Sequence, residues 1–229
     1  MCNLYEYDMT PEVMQTLKDH FSLVGTSYLD ILRGRNGPQK VYPNYEAPVI
    51  RSLATLDGFV RDILPMRWGF PAPPFYKIKA NVTNVRNTAS GYWKPYLKAG
   101  QRCLVPATAF SEPDRNTSKP VVFRWFARPG GEVFYFAGIW RKWEGDRGTK
   151  KAPKIGKYLL FSFLTTEPNG IVDLLHEKAM PVLIRTKDDA EQWREVPPEE
   201  ALQLQKPAPV DAIVLLPAEK RVAELLTAR

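Results

Sequence analysis

A chain of 229 residues, 44% hydrophobic and 25% charged, carries enough apolar side chain for a packed core and suits one large domain or two small ones. No run of about 18 apolar residues occurs, and residues 1–10 lack the basic start and apolar centre of a signal peptide; a spanning helix is excluded, and a cytoplasmic protein without a membrane partner is expected. The net charge of +7 is concentrated in residues 61–160, which hold 19 Lys and Arg against 6 Asp and Glu between acidic flanks; this suits a polyanion surface or, equally, a solvated basic face.

In chain order, residues 2–8 read as a short strand. Asp8-Met9-Thr10-Pro11-Glu12 reads as a helix start, with Thr10 as cap, Pro11 at the first helical position and Glu12 at the positive end. Val13, Leu17 and Phe21 share one face, so the helix is predicted to run to about residue 21. Residues 22–46 read as loop around a short apolar stretch. Strands are predicted at 47–53, 59–64 and 66–70, ended by Pro71-Ala72-Pro73-Pro74. Residues 102–110 read as apolar and extended. Residues 121–127 and 132–140 alternate as strands, and Pro129-Gly130-Gly131 between them reads as a hairpin turn. Residues 144–157, rich in Gly, Lys and Arg, read as an exposed basic loop. Further strands are expected at 158–165 and 181–184, and helices at 188–194, 198–205 and 220–227. Many short strands with few helices point to an α+β domain built mainly on antiparallel sheet.

The chain has two cysteines, Cys2 and Cys103, and two histidines, His20 and His176. A structural zinc site takes about four such ligands placed together, so no metal and no cofactor is expected. A Cys2–Cys103 disulfide stays open but runs against a reducing cytosol.

Cys2 follows the initiator. Trimming Met1 leaves a free amine and a free thiol on one residue, with ordinary pKa values of about 8 and about 8.5. An aldehyde meeting that pair forms an imine with the amine and then takes up the thiol, closing a five-membered thiazolidine. An internal cysteine has only an amide nitrogen and cannot do this. A start of Met-Cys also arises by chance.

Three further segments carry chemistry. Asn84-Val85-Arg86-Asn87 offers an amide that donates and accepts, suited to a sugar hydroxyl or an amine, and a guanidinium suited to phosphate; a polar surface turn is the alternative. Glu112 ends the apolar run from Arg102, and burial there raises a carboxyl toward the range useful for proton transfer; an ordinary turn is the alternative. His176 lies beside Ala179-Met180-Pro181-Val182 and either shuttles protons or packs.

Together these segments resemble the SRAP family, abasic-site processing proteins first described as SOS-response-associated peptidases. The resemblance rests on Met1-Cys2, Arg67-Trp68-Gly69-Phe70, Asn84-Val85-Arg86, the run Arg102 to Glu112, Ala137-Gly138-Ile139-Trp140, Phe163-Leu164-Thr165-Thr166, and His176 followed by Met180-Pro181. It runs from Cys2 to about Trp193, with 194–229 as a C-terminal extension packed on a single SRAP-type domain. The chain departs from the family pattern at Asn3-Leu4, where Gly-Arg is common, and at Pro113, where Trp is common.

The resemblance implies a barrel-like β core with flanking helices and a basic cleft for single-stranded DNA that contains abasic sites. It implies Cys2 as covalent nucleophile, Asn84 positioning the amine or opened sugar, Glu112 moving protons and His176 assisting sugar opening. Arg86 and Arg67 would contact DNA, and Trp68 and Trp93 would stack on bases unless they are core residues. A monomer associated with the nucleoid is expected. A cysteine peptidase using Cys2 and His176, a β-lyase, and a non-catalytic nucleic-acid-binding module are the other readings.

Overall fold

The computed structural model describes residues 2–23, 27–33, 37–56, 58–73, 81–117, 119 and 121–217. Met1 and the helix expected at 220–227 lie outside these residues.

The first strand, β1 (Leu4–Tyr7), leads into α1 (Pro11–Phe21). Thr10 Oγ1 accepts the Val13 N–H at 3.3 Å, Pro11 occupies the first turn, and Val13, Met14, Leu17 and Phe21 are buried, as the sequence pattern requires. The segment read as loop instead holds α2 (Ser27–Arg33) and β2 (Gln39–Val41). A pattern of about two turns is too short to distinguish from loop, and β2 exists because it pairs with β1.

Next come β3 (Glu46–Thr55) and β4 (Gly58–Trp68), a long antiparallel hairpin. Two separate strand pieces were expected around Pro65; the strand runs through it. The short β5 (Phe70–Pro71), β6 (Asn81–Val82) and β7 (Asn84–Val85) follow. β8 (Arg102–Ala107) is buried at every position and continues after Thr108 as β9 (Ala109–Asp114). Then come β10 (Val122–Ala127), β11 (Phe134–Asp146) and β12 (Ile155–Thr166). The chain ends in α3 (Gly170–Asp173), β13 (Met180–Pro181), β14 (Leu183–Ile184), α4 (Lys187–Glu195), α5 (Pro198–Ala201) and β15 (Val214–Leu215).

Five strands close on themselves. β3 pairs with β4, β4 meets β12 in parallel through Arg67 and Trp68, β12 pairs with β11, β11 with β8, and β8 returns to β3 through Leu104 and Cys103. Closure removes the exposed edges an open sheet would leave. The fold is thus α+β with a mainly antiparallel barrel core, as expected. A second sheet, in the order β15-β10-β9-β1-β2, lies beside it. Pro129-Gly130-Gly131 is not a hairpin turn: β10 pairs with β9 and β15, β11 with β8, β12 and β14, so this corner carries the chain from one sheet to the other. The expected basic loop is mostly strand as well. β11 reaches Asp146 and β12 starts at Ile155, making an arm with register Trp143 to Tyr158.

Aromatic side chains weld the second sheet to the barrel. The Tyr5 ring on β1 meets Trp68 and Phe136 edge-on at 5.2 Å each, and Phe136 stacks on Phe163 at 4.5 Å. These contacts fix β1 against the barrel wall and so aim the residue at its head, Cys2.

Candidate active site

Cys2 is fully buried at the junction of sheet and barrel. The pairing of β1 with β9, Leu4 opposite Ser111, brings it level with the far end of β9, where Glu112 stands. Asn84, 7% exposed, reaches it from the other side. β7 lies parallel to β12, Asn84 beside Phe163, and the Asn84 Nδ2 donates to the Cys2 carbonyl at 2.8 Å. A second Nδ2 bond to Thr83 Oγ1 at 2.8 Å fixes the amide's orientation.

His176 arrives from the turn after α3, its backbone N–H bonded to Val172 O at 2.8 Å. Its Nδ1 lies 3.6 Å from Glu112 Oε2, and both side chains are fully buried. Burial pushes the Glu112 carboxyl up to about 8, partly offset first by the positive charge and hydrogen bond of the chain's amino group and then by Arg115. Burial pulls His176 down to about 4, helped by the positive charges of the chain's amino group, Arg115 and Lys178. Near neutral pH the contact therefore joins a largely protonated carboxyl to a neutral imidazole rather than two ions. The Cys2 thiol, which donates to Leu4 O at 3.5 Å, is pushed well above its ordinary value by burial and by Glu112. Cys2 and Cys103 are both free thiols, so the disulfide left open by the sequence does not form.

The structure thus gathers Cys2, Asn84, Glu112 and His176, contributed by four separate segments. The DNA-contact candidates divide. Arg86 is on the surface, 3.1 Å from Glu167, with its side chain 45% exposed. Arg67 donates to Glu46 and to Asn44 O at 3.0 Å each. Trp68 is fully buried, its ring near-parallel to Phe161 and Phe163 and its indole N–H bonded to Thr83 O at 3.0 Å. Trp93 is 7% exposed and packs on Phe70, Tyr92 and Tyr96. With their faces covered, both tryptophans take the core-packing alternative and are withdrawn as base-stacking residues.

Three residues escaped the sequence reading. Arg115 lies three positions after Glu112; its N–H bonds Leu175 O at 3.0 Å, and its charge acts on both Glu112 and His176. Gln205 lies beyond the resemblance and donates to Arg86 O at 2.9 Å and to Thr165 O at 3.0 Å. Asn169, which caps α3, donates to Ala208 O at 3.0 Å. A sequence signal for Arg115 existed in its nearness to Glu112; none existed for Gln205.

No helix among the described residues is long and apolar enough to cross a membrane. The chain is 26% identical over 161 residues to the abasic site processing protein YoqW of Bacillus subtilis (strain 168), covering 66% of each chain. It is 29% identical to YoaM of the same organism, covering 65% of it, and 27% identical to HMCES of Xenopus tropicalis, covering 56% of it; both carry the same descriptive name. The matches therefore span from 56% to 66% of these relatives' lengths, less than two thirds of each. A crystal structure from Bordetella bronchiseptica superposes with a TM-score of 0.68 at 21% identity, covering 94% of this chain and all of that one. One from Bacteroides thetaiotaomicron gives 0.69 at 15% identity, covering 95% and 93%. The family description SRAP, SOS response associated peptidase, matches residues 1–225, and the chain belongs to that family.

Proposed function

We propose that this protein processes abasic sites in single-stranded DNA by joining Cys2 to the opened sugar. Once Met1 is removed, the Cys2 amine attacks the sugar aldehyde carbon and water leaves, giving an imine. The thiol sulfur then adds to the same carbon and its proton passes to the nitrogen. The product is a thiazolidine linking protein to DNA, with one water lost overall, and it leaves the lesion capped. A single strand suits the reaction because the sugar has no stack to leave.

One observation supports this reading most: Asn84 holds Cys2 by its carbonyl oxygen, which fixes the residue while engaging neither its nitrogen nor its sulfur. Glu112, protonated below about pH 8, supplies the proton that turns the departing hydroxyl into water. His176, neutral above about pH 4, accepts a proton during opening of the sugar. Arg86 would exchange Glu167 for a phosphate. The names of the relatives agree with this reading.

A peptidase would need a thiolate at Cys2, and burial there favours the neutral thiol. The deciding experiment mixes Met1-free protein with a single-stranded oligonucleotide bearing one abasic site. Intact mass should equal protein plus DNA minus water, without borohydride, and Cys2→Ala should give none. A nicked, released strand would instead mark a β-lyase, and an adduct with Cys2→Ala would end the proposal.

A further inference from the structure

With Trp68 and Trp93 buried, exposed rings lie elsewhere: Phe123 on β10, and a pair of tyrosines that begins a line of contacting side chains. Tyr42 and Tyr45, 42% and 57% exposed, sit 5.5 Å apart on the turn after β2. Tyr42 follows Val41, the partner of Tyr5 in β1, which places the turn beside the strand headed by Cys2. The turn is bonded to the end of β4: the Asn44 N–H donates to Trp68 O at 2.8 Å, and the Trp68 N–H to Tyr45 O at 2.9 Å. Arg67 carries the line onward, donating to Asn44 O and lying over the Tyr158 ring, 5.4 Å from its centre. The exposed carboxylate of Glu46 is its ionic partner. Tyr158 faces Trp143 across the arm at 6.1 Å, and the arm's tip presents Lys150, Lys151 and Lys154, all exposed.

Rings joined by a guanidinium and ending in lysines match the chemistry of an unpaired strand. Its bases have apolar faces free to stack, and its phosphates carry one repeating charge. In a duplex those faces are already covered. We propose that this line is the track for the single strand flanking the captured sugar, with bases on Tyr42 and Tyr45 and the backbone passing Arg67 to the arm lysines. The proposal rests on the nucleic-acid reading of the site, though not on the covalent step.

The test is equilibrium binding of the full chain to a lesion-free single strand of about 16 nucleotides and to the matching duplex. The Tyr42→Ala/Tyr45→Ala protein should bind the single strand about fivefold or more weakly, and Tyr42→Phe/Tyr45→Phe like the parent. The Lys150→Gln/Lys151→Gln/Lys154→Gln protein should lower the slope of log affinity against log salt by about 2. Tyrosine-to-alanine binding equal to the parent, or an equal loss on duplex, would overturn the track. Since these strands hold no lesion, a failure of covalent capture leaves this outcome intact, and a failed track leaves capture to its own mass measurement.

Discussion

Glu112 is a carboxyl held neutral by its surroundings, and two consequences follow. The first concerns rate. If its proton assists loss of water, capture should slow as pH rises through about 8, and Glu112→Gln should both slow capture and erase that limb of the profile. The second concerns stability. A carboxyl whose folded pKa is raised binds its proton more tightly when folded, so stability is lost as pH rises toward the folded value. His176, pulled down, acts only below its ordinary value of about 6.5. Between about pH 6.5 and about pH 8 His176 is therefore silent, and the Glu112 contribution amounts to on the order of 2 kcal/mol. Chemical denaturation across that window should show the loss in the parent and a flat response in Glu112→Gln. Cys2 and Glu112 were legible in the sequence because each has a distinctive local setting. Arg115 offered only its nearness to Glu112 as a signal; the fold-back onto Leu175, and the action on His176, are not announced by residue order.

The arm of β11 and β12 shows how an element is misread. Its distal half has Gly145, Gly148 and Gly156 among lysines, a loop-like composition, yet Trp143 and Tyr158 pair across it and Asp146 Oδ1 accepts the Gly148 and Lys154 N–H groups at 2.8 and 2.7 Å. Arg147 then pins the tip to the barrel, donating to Asn81 Oδ1 and Gly69 O at 2.8 Å each. Gly69 accepts this close approach with φ +113°, and a Cβ there would lie 3.0 Å from Asn81 Cβ. Arg147→Met should unpin the tip, removing two charged hydrogen bonds at a local cost of about 3 kcal/mol. Hydrogen exchange should speed at 147–154 and stay slow in β8; slow exchange at the tip would show that Asp146 suffices alone. Short strands such as β2 and β7 were equally hard to foresee, since each exists only through its partner.

Across the whole molecule, one connected apolar cluster reaches from Cys2 to Ile213. The barrel and second sheet share it through Tyr5, so they should unfold together. Tryptophan fluorescence and far-ultraviolet circular dichroism should report coincident transitions, and a second transition would show that the sheets are separately stable. The fold class was legible because alternation and strand count are local properties. Closure of the barrel was legible only through the family resemblance and not from the strand pattern, because it depends on the parallel contact of β4 with β12, between residues far apart in the chain.

The segment around Gln205 has an effect out of proportion to its chemistry. Gln205 supports the Arg86 backbone, and the nearby Ala208 carbonyl secures the cap of the short helix before His176. A chain shortened to end soon after Trp193 would retain every reactive group and lose the struts that keep two of them at their stations. Such a fragment would look complete on paper and work poorly in the tube, so the tail is part of the instrument.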